Sequence, residues 1–162
     1  MNPNIERGLY LLVIFGLGGY VANAGAQQTR LERNIPYTAQ QLLKDLSSKA
    51  VKPQVVDLRA LSSDDDDDDV GGYEDAHIPG SLPMPACDET KMPATARDML
   101  RNDVPTIIVT RDGDAAAYQR CADKFLRARN LAGGAAAWID AGLPEEDGEH
   151  VPPSMGGGGG CL

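Results

Sequence analysis

The residues able to act as nucleophiles or acid–base groups are few and scattered. Cys87, Cys121 and Cys161 are an odd number at wide spacing, which fits neither a zinc site nor a disulfide framework and leaves room for one pair. Cys121 shares a helical-period stripe with Ala117, Phe125 and Ala128, and so reads as a buried, inert thiol. Cys87 follows "LPMP", with Lys91 the only cation nearby, and reads as the more exposed of the two. Cys161 hangs behind five glycines; it reads as a solvent-exposed tail residue, with a sulfur-acceptor or intermolecular disulfide role as the sharper alternative. It stands too near the end to be a prenylation signal. His77, in "HIPG", has the chemistry of a general base, but its setting favours a structural, hydrogen-bonded role. The stretch "TIIVTRDGDAAAYQRC" (106–121) reads as a buried strand running through a turn into a helix, the junction where α/β proteins usually keep their chemistry. Its turn, Arg111-Asp112-Gly113-Asp114, contains no Ser, Cys or His. Asp112 and Asp114 suit the capping of a helix N-terminus and oppose an anionic ligand there.

A second concentration of chemistry is acidic. Asp64, Asp65, Asp66, Asp67, Asp68 and Asp69, with Glu74 and Asp75, carry nearly all of the formal net charge of −9. Contiguous carboxylates repel one another, so residues 62–75 are expected to be a solvated loop. A calcium site needs ligands wrapped around the ion with a turn glycine, and six contiguous Asp do not supply that spacing, so no metal site is expected. Any charge-steered partner should be basic, which makes the Asp64–Asp69 run a candidate docking patch. No Lys/Arg cluster marks a nucleic-acid surface, and no motif calls for a cofactor.

The elements that must position these groups follow from the pattern. The length of 162 residues suits one domain plus ends. After residues 1–7, the span 8–26 carries no charge. As a helix at about 1.5 Å per residue it would reach about 28 Å, nearly a bilayer core. Gly18, Ala22 and Ala26 recur every four residues, a stripe that lets another membrane helix approach. "ANA" and "AGA" also resemble signal-peptidase sites, so a cleaved secretory signal competes with a retained single-pass anchor, which is the preferred reading. The flanking Arg7, Arg30 and Arg33 are too few to fix orientation, and the signal-like start leans toward an extracytoplasmic, for example periplasmic, domain.

Residues 27–34 are a polar linker, and 35–144 hold the folded domain. Thr38-Ala39-Gln40-Gln41 has the form of a capping box ahead of Leu42, Leu43 and Leu46. "QVVDL" (54–58) and "TIIVT" (106–110) read as strands, and "GSLPMP" (80–85) as a short one. Helices are expected over 94–102 and 114–129, and in "LAGGAAAWIDAG" up to Gly142. Alternating strands and helices predict a parallel α/β sheet. From 145 to 162 the Pro, Glu and Gly content predicts a flexible tail.

Three stretches, "VVDLRA" (55–60), "GYEDAHIPGSLPMP" (72–85) and "LAGGAAAWIDAGLP" (131–144), together resemble the rhodanese, or sulfurtransferase, family across residues 35–144. The resemblance implies a three-layer sandwich around a small parallel sheet, typically of five strands. It implies structural roles for Asp57, Arg59, His77, Pro79, Gly80, Gly133, Gly134 and Trp138. Active members of the family place a nucleophilic Cys directly after the strand that matches "IIVT"; here that position is Arg111, whose guanidinium stays protonated. The span from this loop to Gly133 is also about four residues shorter than the family resemblance implies. The expectation is a catalytically inactive, membrane-anchored domain that serves as an interaction subunit of a membrane-protein complex with a basic docking surface. The competing readings are an exported sulfurtransferase or sulfur carrier using a displaced cysteine, and a binding module for a small anion.

Overall fold

The computed structural model describes residue 10 and residues 12–23, 35, 37–48, 52–62 and 70–152. The chain divides into two units, Met1–Ile35 and Pro36–Leu162. In the first, residues 12–23 are helical and exposed, and Gly18 and Ala22 lie within them. Among the described residues, no helix is long and apolar enough to cross a membrane. Ala26 and most of the flanks of the expected anchor 8–26 lie outside the described residues.

The second unit is a four-stranded parallel sheet of order β2-β1-β3-β4, with β1 Gln54–Asp57, β2 Leu82–Pro83, β3 Pro105–Val109 and β4 Arg127–Asn130. Tyr37 forms a single parallel bridge to Leu131 beyond β4, all that is seen of a fifth strand. Side chains alternate across the central strands, so each contributes to two cores. Val55, Ile107 and Val109 pack with Leu42, Leu131 and Trp138 beneath helices α1 (Ala39–Ser47) and α4 (Gly134–Asp140). Val56 and Ile108 pack with Met84, Ala96, Tyr118, Cys121 and Phe125 on the other face, where α2 (Ala94–Met99) and α3 (Ala115–Ala122) lie. The result is the expected three-layer sandwich. Helix α1 begins with the predicted capping box, in which Thr38 Oγ1 accepts from Gln41 N (3.2 Å) and Thr38 N donates to Gln41 Oε1 (3.0 Å).

Three expectations need correction. The helix predicted over 114–129 stops at Ala122, and Arg127–Asn130 is the strand β4. Of its four residues only Ala128 is fully buried, so the apolar stripe read as helical is a helix followed by an edge strand. Cys121 is buried but is not a free thiol, because it forms a disulfide with Cys87, Cα–Cα 5.6 Å. Cys87 lies in the short turn Pro85–Cys87 after β2 and is partly buried against the same core. Finally, residues 145–150 are not tail. His77 N donates to Glu146 O (2.8 Å), Glu146 N to His77 O (2.9 Å) and Gly148 N to Glu74 O (2.7 Å), so this stretch runs as a strap across the segment before β2. These backbone bonds do not depend on side-chain hydrophobicity, which is why composition misread them.

Candidate functional site

The end of β1 is organised by a buried ion pair. Asp57 is 0 % exposed, and its carboxylate accepts from Arg59 Nη2 (2.7 Å) and Nε (3.1 Å to each oxygen) and from the Arg59 backbone N (3.0 Å). The same guanidinium donates from Nη1 to Val70 O (3.0 Å) and from Nη2 to Ala76 O (2.7 Å). The planar fork thus neutralises the acid and ties the segment around residues 70–76 to the strand end. One side chain thus both pairs with an acid and bonds to loop carbonyls.

Beside it, the β3–α3 loop is held from below by α4. Ala135 N donates to Thr110 O (2.8 Å) and Ala136 N to Arg111 O (2.9 Å), so the first amides of α4 are used to fix the loop. Close approach requires glycine here: a Cβ on Gly134 would lie 2.2 Å from Thr110 O, and one on Gly113 would lie 2.6 Å from Gly133 N. All three of these glycines have positive φ. Asn130 Nδ2, at the end of β4, donates to Gly113 O (2.8 Å) and completes the clamp; no sequence motif marked this residue. Asp112 Oδ1 accepts from Asp114 N (3.1 Å), and Asp114 Oδ1 caps α3 by accepting from Ala116 N (2.7 Å).

These residues surround an open cavity of about 340 Å³, lined by Leu58, Arg59, Thr110, Arg111, Asp112, Asp114 and Ala117. Arg59 is committed to Asp57 and the carbonyls, while Asp112 and Asp114 place carboxylates at the helix N-terminus where an anion would otherwise be favoured. The lining includes no Cys, Ser, His or Lys. Thr110 Oγ1 is buried without a hydrogen-bond partner, and no histidine lines the cavity to activate it. The arrangement can hold a polar group but offers no activated nucleophile.

His77, Pro79, Gly80 and Trp138 do not line this cavity. His77 Nδ1 donates to Tyr73 O (2.8 Å) and its ring stacks on Tyr73 at 3.9 Å, a structural placement. Pro79 and Gly80 line a separate groove of about 470 Å³ with Leu43, Leu46, Lys52 and Trp138. Trp138 is buried and donates from Nε1 to Pro144 O (2.8 Å). Asp64 to Asp69 and Cys161 lie outside the described residues. Among the described residues, no group of three or more His, Cys, Asp or Glu is placed to hold a metal ion. The disulfide and the second histidine, His150, were missed; the Cys87–Cys121 pair carries no spacing signal, and His150 stands in a stretch that reads as tail.

A small parallel sheet flanked by helices, with a glycine-clamped loop after its central strand, defines a rhodanese-type α/β domain. The rhodanese-like domain family model matches residues 38–141, and the chain belongs to that family. Among solved structures, the rhodanese-like domain of the Anabaena sp. Alr3790 protein is 22% identical, with TM-score 0.52, covering 78% of this chain and 87% of that one. A full-length Lactobacillus plantarum protein is 19% identical, with TM-score 0.53, covering 79% and 98%. A thiosulfate sulfurtransferase from Pseudomonas aeruginosa is 23% identical, with TM-score 0.50, covering 70% of this chain but 19% of its own. At these identities the likeness concerns the fold. No curated protein matches.

Proposed function

We propose that this rhodanese-like domain transfers no sulfur and serves as an accessory or structural interaction subunit of a membrane-protein complex, with residues 8–26 anchoring it in the bilayer. The observation that carries the reading is Arg111, the second residue after β3 and the position where the family resemblance places the nucleophilic Cys, followed by Asp114, whose carboxylate caps α3. The reading of an enzyme with a displaced thiol is weakened, because Cys87 and Cys121 are bonded to each other. That disulfide also supports an extracytoplasmic domain, since such bonds persist in oxidising compartments.

Partner recognition is assigned to the acidic run Asp64–Asp69, as a basic surface would be steered to it. The test uses the full chain in native membranes, solubilised in mild detergent after a carbonate wash. The protein is expected to stay with the membrane fraction and to co-purify with its complex. Replacing Asp64 to Asp69 with Ser and Asn should slow association roughly tenfold at low salt, with a smaller loss at high salt, where screening already weakens the native attraction. Equal association of the neutralised chain at low ionic strength, or release by carbonate, would contradict this reading.

A further inference from the structure

The chain contains two histidines, and both lie in one buried cluster. His77 stacks on Tyr73, and Tyr73 Oη donates to Ser81 O (2.6 Å). His150, at the end of the strap, shares that carbonyl: its Nδ1 lies 3.1 Å from Ser81 O and 3.4 Å from Tyr73 Oη. A carbonyl only accepts, so Nδ1 carries the proton and Nε2 the lone pair. Nε2 is buried without a partner, and the residue is only 8 % exposed. A second proton on this ring would therefore place a full charge and an unsatisfied N–H in the interior.

We propose that residues 143–150 form an acid-released latch, in which protonation of His150 Nε2 frees the strap and uncovers the segment from Tyr73 to Ser81. The strap is also held by the backbone bonds to His77 and Glu74, by Gly80 N, which donates to Glu146 Oε2 (3.2 Å), and at its start by Trp138 Nε1, which donates to Pro144 O (2.8 Å). The charged groups around His150 act in both directions. From the segment before β2, His77 disfavours a positive charge on His150. Beneath Tyr73, Asp57 and Arg59 are paired and largely cancel. On the strap, Glu146 favours the charged form of His150, and its carboxylate lies 3.8 Å from His77 Nε2. That carboxylate is 58 % exposed and screened by water, so the buried ring dominates. Burial holds His150 below the ordinary histidine range, against the raising effect of its bond to Ser81 O.

The sign follows from linkage. A base whose folded pKa is depressed leaves the closed state taking up fewer protons than the open one. The latch is then intact above the open-state value and weakens as pH falls below it. With an open-state value near 6.5, the opening constant should rise about thirty-fold between pH 7.5 and pH 5 if the closed ring stays neutral.

The test is hydrogen exchange on the full chain at both pH values, corrected for intrinsic rates and read at the Glu146 and Gly148 amides. The expected result is a loss of protection at acid pH, with that factor as its upper limit, and the β3 amides unchanged. In His150→Gln, which keeps a donor for Ser81 O but does not titrate, the loss of protection at acid pH should disappear. Equal strap protection at both pH values, or the same loss in His150→Gln, would overturn the proposal. If the Gln strap is undocked even at pH 7.5, imidazole NMR of the native chain decides. A Gly148 amide shift that follows the His150 titration supports the latch, and one that stays flat while His150 titrates overturns it.

Discussion

Replacing Arg59 with methionine is expected to destabilise the domain by about 3–5 kcal/mol, because it strands a charge in the interior. Asp57 is 0 % exposed, and three of the bonds to its carboxylate come from the Arg59 side chain. Methionine fills much of the same space but leaves the carboxylate, Val70 O and Ala76 O without these donors. The double variant Asp57→Asn/Arg59→Met should recover part of the loss, since it removes the uncompensated charge while the carbonyls still lack donors. Urea unfolding checks this: the midpoint should fall with the slope unchanged. A loss below about 1 kcal/mol would place the pair with exposed surface ion pairs. It would also mean that something else holds the end of β1.

Breaking the Cys87–Cys121 bond is the second large effect. The cysteines are 34 residues apart, and closing a loop of that size in the unfolded chain corresponds to about 3–4 kcal/mol. Some of this is offset, because Ala86 (φ 52°) and Cys87 (φ 63°) are held in left-handed conformations. Each costs a non-glycine residue about 1 kcal/mol, which reduction allows the turn to relieve. A net loss of about 1–2 kcal/mol is expected on adding reductant. Cys87→Ala/Cys121→Ala should be at least as destabilised as the reduced native chain and should no longer respond to reductant. A native unfolding midpoint insensitive to reductant would remove both the staple and its support for an oxidising compartment. The bond also joins the turn after β2 to α3, the helix that Asp114 caps. Reduction should therefore loosen the β3–α3 loop before the sheet.

Much of this architecture was readable in the residues, for reasons that differ by element. The β-branched run of β3 and the box at Thr38 are local signals, fixed by side-chain branching and by two reciprocal bonds. The roles of Asp57 and Arg59 follow from their chemistry at a strand end. Arg127–Asn130 was hidden because an edge strand buries little, and Ala128 and Phe125 imitate a continuing helix stripe. The disulfide was hidden because its partners meet through tertiary packing alone. The strap 143–150 was hidden because its docking uses backbone groups and one histidine, neither of which produces a hydrophobic period. At the candidate site the loop's composition was legible. The clamp that holds it was only half so: Gly133 and Gly134 stood out, whereas Asn130 gave no signal.

The loop after β3 carries Arg111 where a sulfur nucleophile would stand, and on the proposed reading the domain does not transfer sulfur. The most direct measurement incubates the purified full chain with thiosulfate and cyanide, following thiocyanate release and the intact mass of the protein. The account predicts turnover at background and no gain of a sulfur atom on Cys87 or Cys121. Turnover above background that disappears in Cys121→Ser or Cys87→Ser, with a one-sulfur adduct mapped to that residue in the native chain, would contradict it.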